Sequence, residues 1–181
     1  MNLAQRLLIP ALATAALLAL PAAAGAQTCT HAAATADSAS RGEMRHAVHC
    51  LLNAIRTRHG LAPVARSQRL ELAAQRHSHD MVARHYFSHV SPGGSTLEQR
   101  VRRTGYARDA RDSSLGENIG WASGKGAGAK SLVDAWMDSP PHRAIILNAR
   151  FDEIGVGISR GVPDATLDEG ATAVLDFGLA R

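Results

Sequence analysis

The side chains in this sequence best suited to holding a ligand or moving a proton are imidazoles. Nine histidines occur in 181 residues. His77-x-His79 and His85-x-x-x-His89 have spacings that could hold a metal, because imidazole nitrogen is a good zinc ligand. No Glu follows the first His of either pair, so the H-E-x-x-H pattern of metalloproteases is absent. His77 falls on the apolar stripe of its helix and reads as a core histidine. His31, His46, His49, His59, His79 and His85 read as surface or packing residues. Acyl transfer needs a Ser or Cys activated by a base. No G-x-S-x-G occurs, and Ser88 adjoins His89 only along the chain. Gly124 to Ser131 is one residue short of a phosphate-binding loop. Ala129 stands where a glycine is needed before the lysine, so the segment reads as a surface loop.

Cys29 and Cys50 are the two cysteines. No C-x-x-C occurs, which leaves redox catalysis and a zinc ribbon without support. The two are either bridged or free, with Cys50 then simply buried. In an oxidising compartment a bridge is expected, closing a loop of about 20 residues and worth roughly 3 kcal/mol.

The elements that must position these groups follow from periodicity. Met44, Ala47, Val48, Leu51 and Ile55 lie at helical spacing and predict a helix from about Met44 to His59, stopped by Gly60. Leu70, Ala73, Ala74, His77 and Met81 predict a second over about Ser67 to Tyr86. Ser95-Thr96-Leu97-Glu98 reads as a capping box with Ser95 as the cap, opening a short helix that ends at Gly105. Gly116 to Trp121 reads as a short extended segment. A further helix starts at Ser131, and Ser139-Pro140-Pro141 opens another, because Pro suits the first helical position. Ile154, Val156, Ile158 and then Ala171, Ala173, Leu175, Phe177 alternate with period two and predict strands joined by a long polar connection, Arg160 to Gly170. Helices first and strands last give an α+β fold with an antiparallel sheet.

Length bounds the chain to one ordinary domain. Hydrophobic residues at 45% and charged residues at 20% exclude a disordered or fibrous chain. The formal charge is +4, but basic and acidic residues are interspersed and aromatics are only 4%, so no nucleic-acid partner is expected. Residues 1–26 read as a secretory signal peptide: Arg6, then an apolar run from Leu7 to Ala24, then Ala24-Gly25-Ala26 as a cleavage site before Gln27. No transmembrane segment is expected in the mature chain, which is assigned a secreted, extracellular or periplasmic location. Residues 27–43 are read as an N-terminal tail or linker and 44–181 as the domain.

Three polar segments remain, each beside a turn or element end: Phe87-Ser88-His89, Gly116-Glu117-Asn118-Ile119, and Trp136-Met137-Asp138-Ser139-Pro140-Pro141-His142-Arg143. With Leu52-Asn53-Ala54-Ile55-Arg56 and Ile154-Gly155-Val156-Gly157, they resemble in order the signatures of the CAP superfamily (cysteine-rich secretory proteins, antigen 5 and pathogenesis-related 1 proteins), in its short bacterial form. The likeness covers about Leu51 to Gly178. It implies an α-β-α sandwich, with a small antiparallel sheet between helical layers. It also implies a cleft of two His and two acids, matched here by His89, Glu117 and His142, with Asn118 beside them. The second acid falls on Ser139 and is missing; Asp138, one residue away, points elsewhere on a helix.

His89, His142 and Glu117 are good zinc ligands with a fourth position open to water. Alternatively Glu117 orients an imidazole and the trio is a structural network. The resemblance implies an extracellular binding module for a small-molecule, lipid or protein ligand. The other reading is an extracellular hydrolase in which a metal or a His/Glu pair activates water. The first is favoured, because neither an activated nucleophile nor a complete metalloprotease motif is present.

Overall fold

The computed structural model describes residues 28–167 and 169–181. The expected signal peptide lies outside the described residues. Among the described residues, five α-helices surround a four-stranded sheet. The helices are α1 (Arg41–Arg58), α2 (Gln68–Ala83), α3 (Leu97–Arg103), α4 (Ala129–Asp138) and α5 (Pro140–Ile146). The strands are β1 (Ala65–Arg66), β2 (Ser113–Ala122), β3 (Glu153–Arg160) and β4 (Ala171–Ala180), in spatial order β1-β3-β4-β2. β3, β4 and β2 pair antiparallel, as expected. The two-residue β1 pairs parallel to β3 and is too short to show any periodicity in sequence.

Period two divides the sheet's faces. Ile154, Val156, Ile158, Ala173, Leu175 and Phe177 point to one side, where α1, α4 and α5 cover them with Val48, Leu52, Trp136 and Ile146. The opposite face packs on α2. There Gly155 and Gly157 are required. A Cβ on Gly155 would lie 2.1 Å from the α2 backbone at Leu70 and Glu71, and one on Gly157 would lie 2.3 Å from Ala74. The helix main chain thus rests directly on β3.

Helix boundaries differ from the sequence reading where caps decide them. α1 begins three residues earlier than Met44, because Ser40 and Glu43 form a reciprocal capping box. The box at α3 is formed by Thr96 and Gln99, not Ser95 and Glu98. Ser95 instead accepts from Arg103. The segment expected as a tail is packed. The Ala36 amide bonds the Ala127 carbonyl, Ala34 accepts from Ala129, and Ala36 and Ala39 are buried. Cys29 and Cys50 are disulfide-bonded, with Cα atoms 5.7 Å apart, which ties this segment to α1.

The Leu52–Arg56 motif holds loops. Asn53 exchanges two hydrogen bonds with the Val64 backbone just before β1. Arg56, 1% exposed, donates to the carbonyls of Ala62, Ile146, Asn148 and Phe151, which fixes the turn after α5.

Candidate functional site

Glu117 and Asn118 are neighbours on β2, so their side chains leave opposite faces of the sheet. Glu117 points to the α2 and α3 side, where its Oε1 lies 2.7 Å from His89 Nδ1 and its Oε2 2.5 Å from an Arg100 Nη. Asn118, fully buried, donates from Nδ2 to the His142 carbonyl at 3.1 Å and so ties α5 to the same strand. Two adjacent residues of one strand therefore place both histidines.

The loop carrying His89 is fixed from below. Arg100 is 7% exposed and also donates to the His89 and Ser95 carbonyls. His77 Nε2 lies 3.0 Å from the Ser88 carbonyl, while its Nδ1 faces the Tyr86 hydroxyl. The tyrosine in turn donates to Asp80 at 2.5 Å. His77 is therefore a satisfied core histidine that braces the loop, as its place on the apolar stripe implies. Burial pushes its pKa down.

His142 sits on α5. Ser139 begins that helix, yet its hydroxyl caps no backbone amide and instead lies 2.7 Å from His142 Nδ1. Burial lowers the His142 pKa, and the charge of His89 lowers it further. On the Ser139 side, Phe87, Trp121, Leu132, Ala135 and Trp136 line an apolar groove of about 220 Å³. Around His89 and Glu117 lies a second cavity of about 420 Å³, walled by Val90, Leu97 and Leu115.

Two residues of this network escaped the sequence reading. One is Arg100. The other is Asp176, cross-strand from both Glu117 and Gly155 and fully buried beneath α2. As a carboxylate it would have no donor partner in the protein. Desolvation, and then the negative charge of Glu117, push its pKa well up, so it is held as the neutral acid beside Glu117. Burial pushes Glu117 up as well, but hydrogen bonding from His89 and the Arg100 charge outweigh it and hold that carboxylate below its ordinary range. A second carboxyl group thus lies behind Glu117, contributed by β4 and not by the Ser139 position. Its sequence signal is a single charge inside the otherwise uncharged Ala171–Ala180 strand. Arg100 has no such signal among the arginines around it.

Each Glu117 oxygen accepts one hydrogen bond, from His89 and from Arg100, so Glu117 holds the His89 ring in orientation. Among the described residues, no group of three or more His, Cys, Asp or Glu side chains gathers around a metal position. His77 with His79, and His85 with His89, form no such group.

The family profile of the cysteine-rich secretory proteins, CAP, matches residues 50–167. The chain belongs to this family. It is 37% identical over 110 residues to the membrane protein YlbC of Bacillus subtilis, covering 61% of this chain and 30% of that protein. It is 36% identical over 107 residues to YkwD of the same bacterium, covering 59% and 39%. The chain therefore spans well under half the length of these relatives. Among solved structures, it is similar to an SCP-domain extracellular protein of Bacillus anthracis (TM-score 0.58, 29% identity, 77% of this chain and 43% of that one). An outer surface protein of Borrelia burgdorferi shares the fold (TM-score 0.64, 20% identity, 79% and 97%). No helix among the described residues is long and apolar enough to cross a membrane.

Proposed function

We propose that this chain is an exported binding module whose cleft presents His89 and His142 to a divalent cation such as zinc, or to a small polar ligand group, beside an apolar groove. One observation carries this reading. Each ring has its Nδ1 occupied by a fixed partner, Glu117 for His89 and Ser139 for His142. In both rings Nε2 is the atom left for a ligand, and a carboxylate on the far nitrogen fixes the tautomer and raises basicity. The lowered His142 pKa keeps that ring neutral, as metal binding requires. With two protein ligands, remaining positions stay open to water or to a donor atom of the ligand, so zinc binding is weak. The groove of Phe87, Trp121 and Trp136 fits an apolar portion of the same ligand.

Hydrolysis is the weaker reading. Hydrogen bonding from His89 and the Arg100 charge hold the Glu117 carboxylate below its ordinary range, which makes it a weak base toward water. Ser139 meets His142, but among the described residues no carboxylate bonds that ring to complete a triad. The extracellular and surface settings of the structural relatives support export of this chain.

Zinc titration calorimetry on protein purified without chelators tests the proposal. One weak site is expected, lost in His89→Ala and in His142→Ala. Ser139→Glu should tighten it by supplying the carboxylate absent from that position. Zinc uptake unchanged in both histidine variants overturns the metal-holding role.

A further inference from the structure

On the far side of the His89 loop, α2 and α3 face each other across a third opening of about 340 Å³. Its lining is unusual in charge. Arg76 and Arg84 come from α2 and its C-terminal cap, and Arg100 and Arg103 from α3, against one carboxylate, Asp80. Asp80 is already shared between the Tyr86 hydroxyl and Arg84, which lies 3.7 Å away. Arg100 is taken by Glu117. Arg103 donates only to the Ser95 hydroxyl, at 2.8 Å, and Arg76 has no hydrogen-bonding or ionic partner among the described residues. Two guanidinium groups are therefore left without a carboxylate at the mouth of one cavity. Its floor adds an independent sign. Arg100 is 93% buried in the sense of its 7% exposure, and its Nε–H has no hydrogen-bond acceptor in the protein.

Like charges lining one cavity repel, and Arg76 and Arg103 have no carboxylate partner among the described residues to offset them. An oxyanion would. Guanidinium forks match phosphate oxygens bidentately, and such charge-assisted bonds are the strong ones. The remaining walls include the small residues Ala73, Ser91, Gly93 and Ser95, which leave the guanidinium groups as the cavity's main recognition elements. This suits a compact, highly charged headgroup.

We propose that the cavity between α2 and α3 binds a phosphate monoester, through Arg76, Arg84 and Arg103 at its mouth and Arg100 at its floor. The site is separate from the proposed zinc-holding cleft and does not depend on it. The phosphate can belong to a soluble compound or to a lipid headgroup, and the two sources are separable by experiment.

The test uses inorganic phosphate and glycerol 3-phosphate in solution, and vesicles of phosphatidylcholine with and without phosphatidic acid. Phosphate is expected to raise the melting temperature of the wild type above that in sodium chloride of equal ionic strength, since a ligand of the folded state stabilises it. Arg76→Gln/Arg84→Gln should weaken binding by about tenfold or more, as expected when charge-assisted hydrogen bonds are removed. Both positions are exposed. Arg76→Gln alone, at a side chain with no partner to lose, repeats the test if the double variant is unstable. Zinc uptake should be the same in these variants as in the wild type. Sedimentation with phosphatidic acid vesicles alone assigns the headgroup as ligand, whereas binding of the soluble compounds without sedimentation assigns a free phosphate ester. Absence of both stabilisation by the soluble phosphates and vesicle binding, or binding equal in wild type and variants, overturns the proposal.

Discussion

Arg56 and Arg100 are both buried guanidinium groups, on opposite faces of the same sheet, and they are satisfied in different ways. Arg56 meets only main-chain carbonyls, four of them, and lies against the apolar core of α1, α4 and α5. Arg100 meets a carboxylate, and that carboxylate meets an imidazole and a second carboxyl group. Carbonyls do not titrate, so the first arrangement is insensitive to pH and serves to lock loops. The second is a chain of titratable groups whose charges depend on one another. It is also the arrangement that reaches the surface, through His89. The comparison teaches where buried charge serves only the packing of loops and where it is wired to an exposed imidazole.

The largest expected effect breaks the second arrangement. Glu117→Gln leaves Arg100 charged, buried and without its counter-ion, which should cost about 3–5 kcal/mol of stability at neutral pH by urea unfolding. The sign of the pH dependence follows from the lowered Glu117 pKa. The stabilisation is present above the unfolded-state value, about 4.3, and is lost as pH falls through the folded one. The wild-type and variant curves should therefore converge in acid. Arg56→Met is the matching cut on the other face. It orphans several carbonyls and should cost about 2–3 kcal/mol, with a gap from the wild type that stays flat with pH. A gap that closes in acid for Arg56→Met would erase the distinction between the two faces.

Gly157→Ala probes the close approach on the α2 side. The new Cβ must displace helix main chain, at about 1–3 kcal/mol. The same change at Gly60, where nothing lies within 4 Å, should lack that steric component and carry only the strain of its φ of +73°. Asp176→Asn is the smallest effect and has the opposite sign. The folded state holds a proton on Asp176 that the unfolded chain releases above about pH 3.9, so stability falls as pH rises from there through the raised folded pKa. The amide carries no such burden and can donate to Glu117. A gain of about 1 kcal/mol at neutral pH is expected, with a shallower decline toward alkaline pH in a melting-temperature series.

Much of this was legible in the sequence, because it rests on local rules. The stripe from Met44 to Ile55 and the alternation in β3 and β4 record which side of each element is dry. The motifs around His89, Glu117 and His142 survive as recognisable strings. Arg100 and Asp176 were not legible, since each acquires its role only by pairing with Glu117 across the fold. The packed segment before α1 has low hydrophobicity and looks like a tail; its order comes from backbone bonds to the loop before α4 and from the disulfide. β1 is two residues long and exists because Asn53 and β3 hold it.

The strand order has a consequence for how the molecule is made. β4 pairs with both β2 and β3 and comes after every other element in the chain. Until it arrives, β2 and β3 have no connection through hydrogen bonds, and Glu117 has no Asp176 behind it. Such long-range closure is slow compared with helix formation. Before β4 joins, the only strand pairing available among the described residues is the two-residue contact of β1 with β3. Glu117, which holds His89, acquires its cross-strand partner only when Ala171–Ala180 docks, so the surroundings of His89 are among the last parts of the fold to be completed.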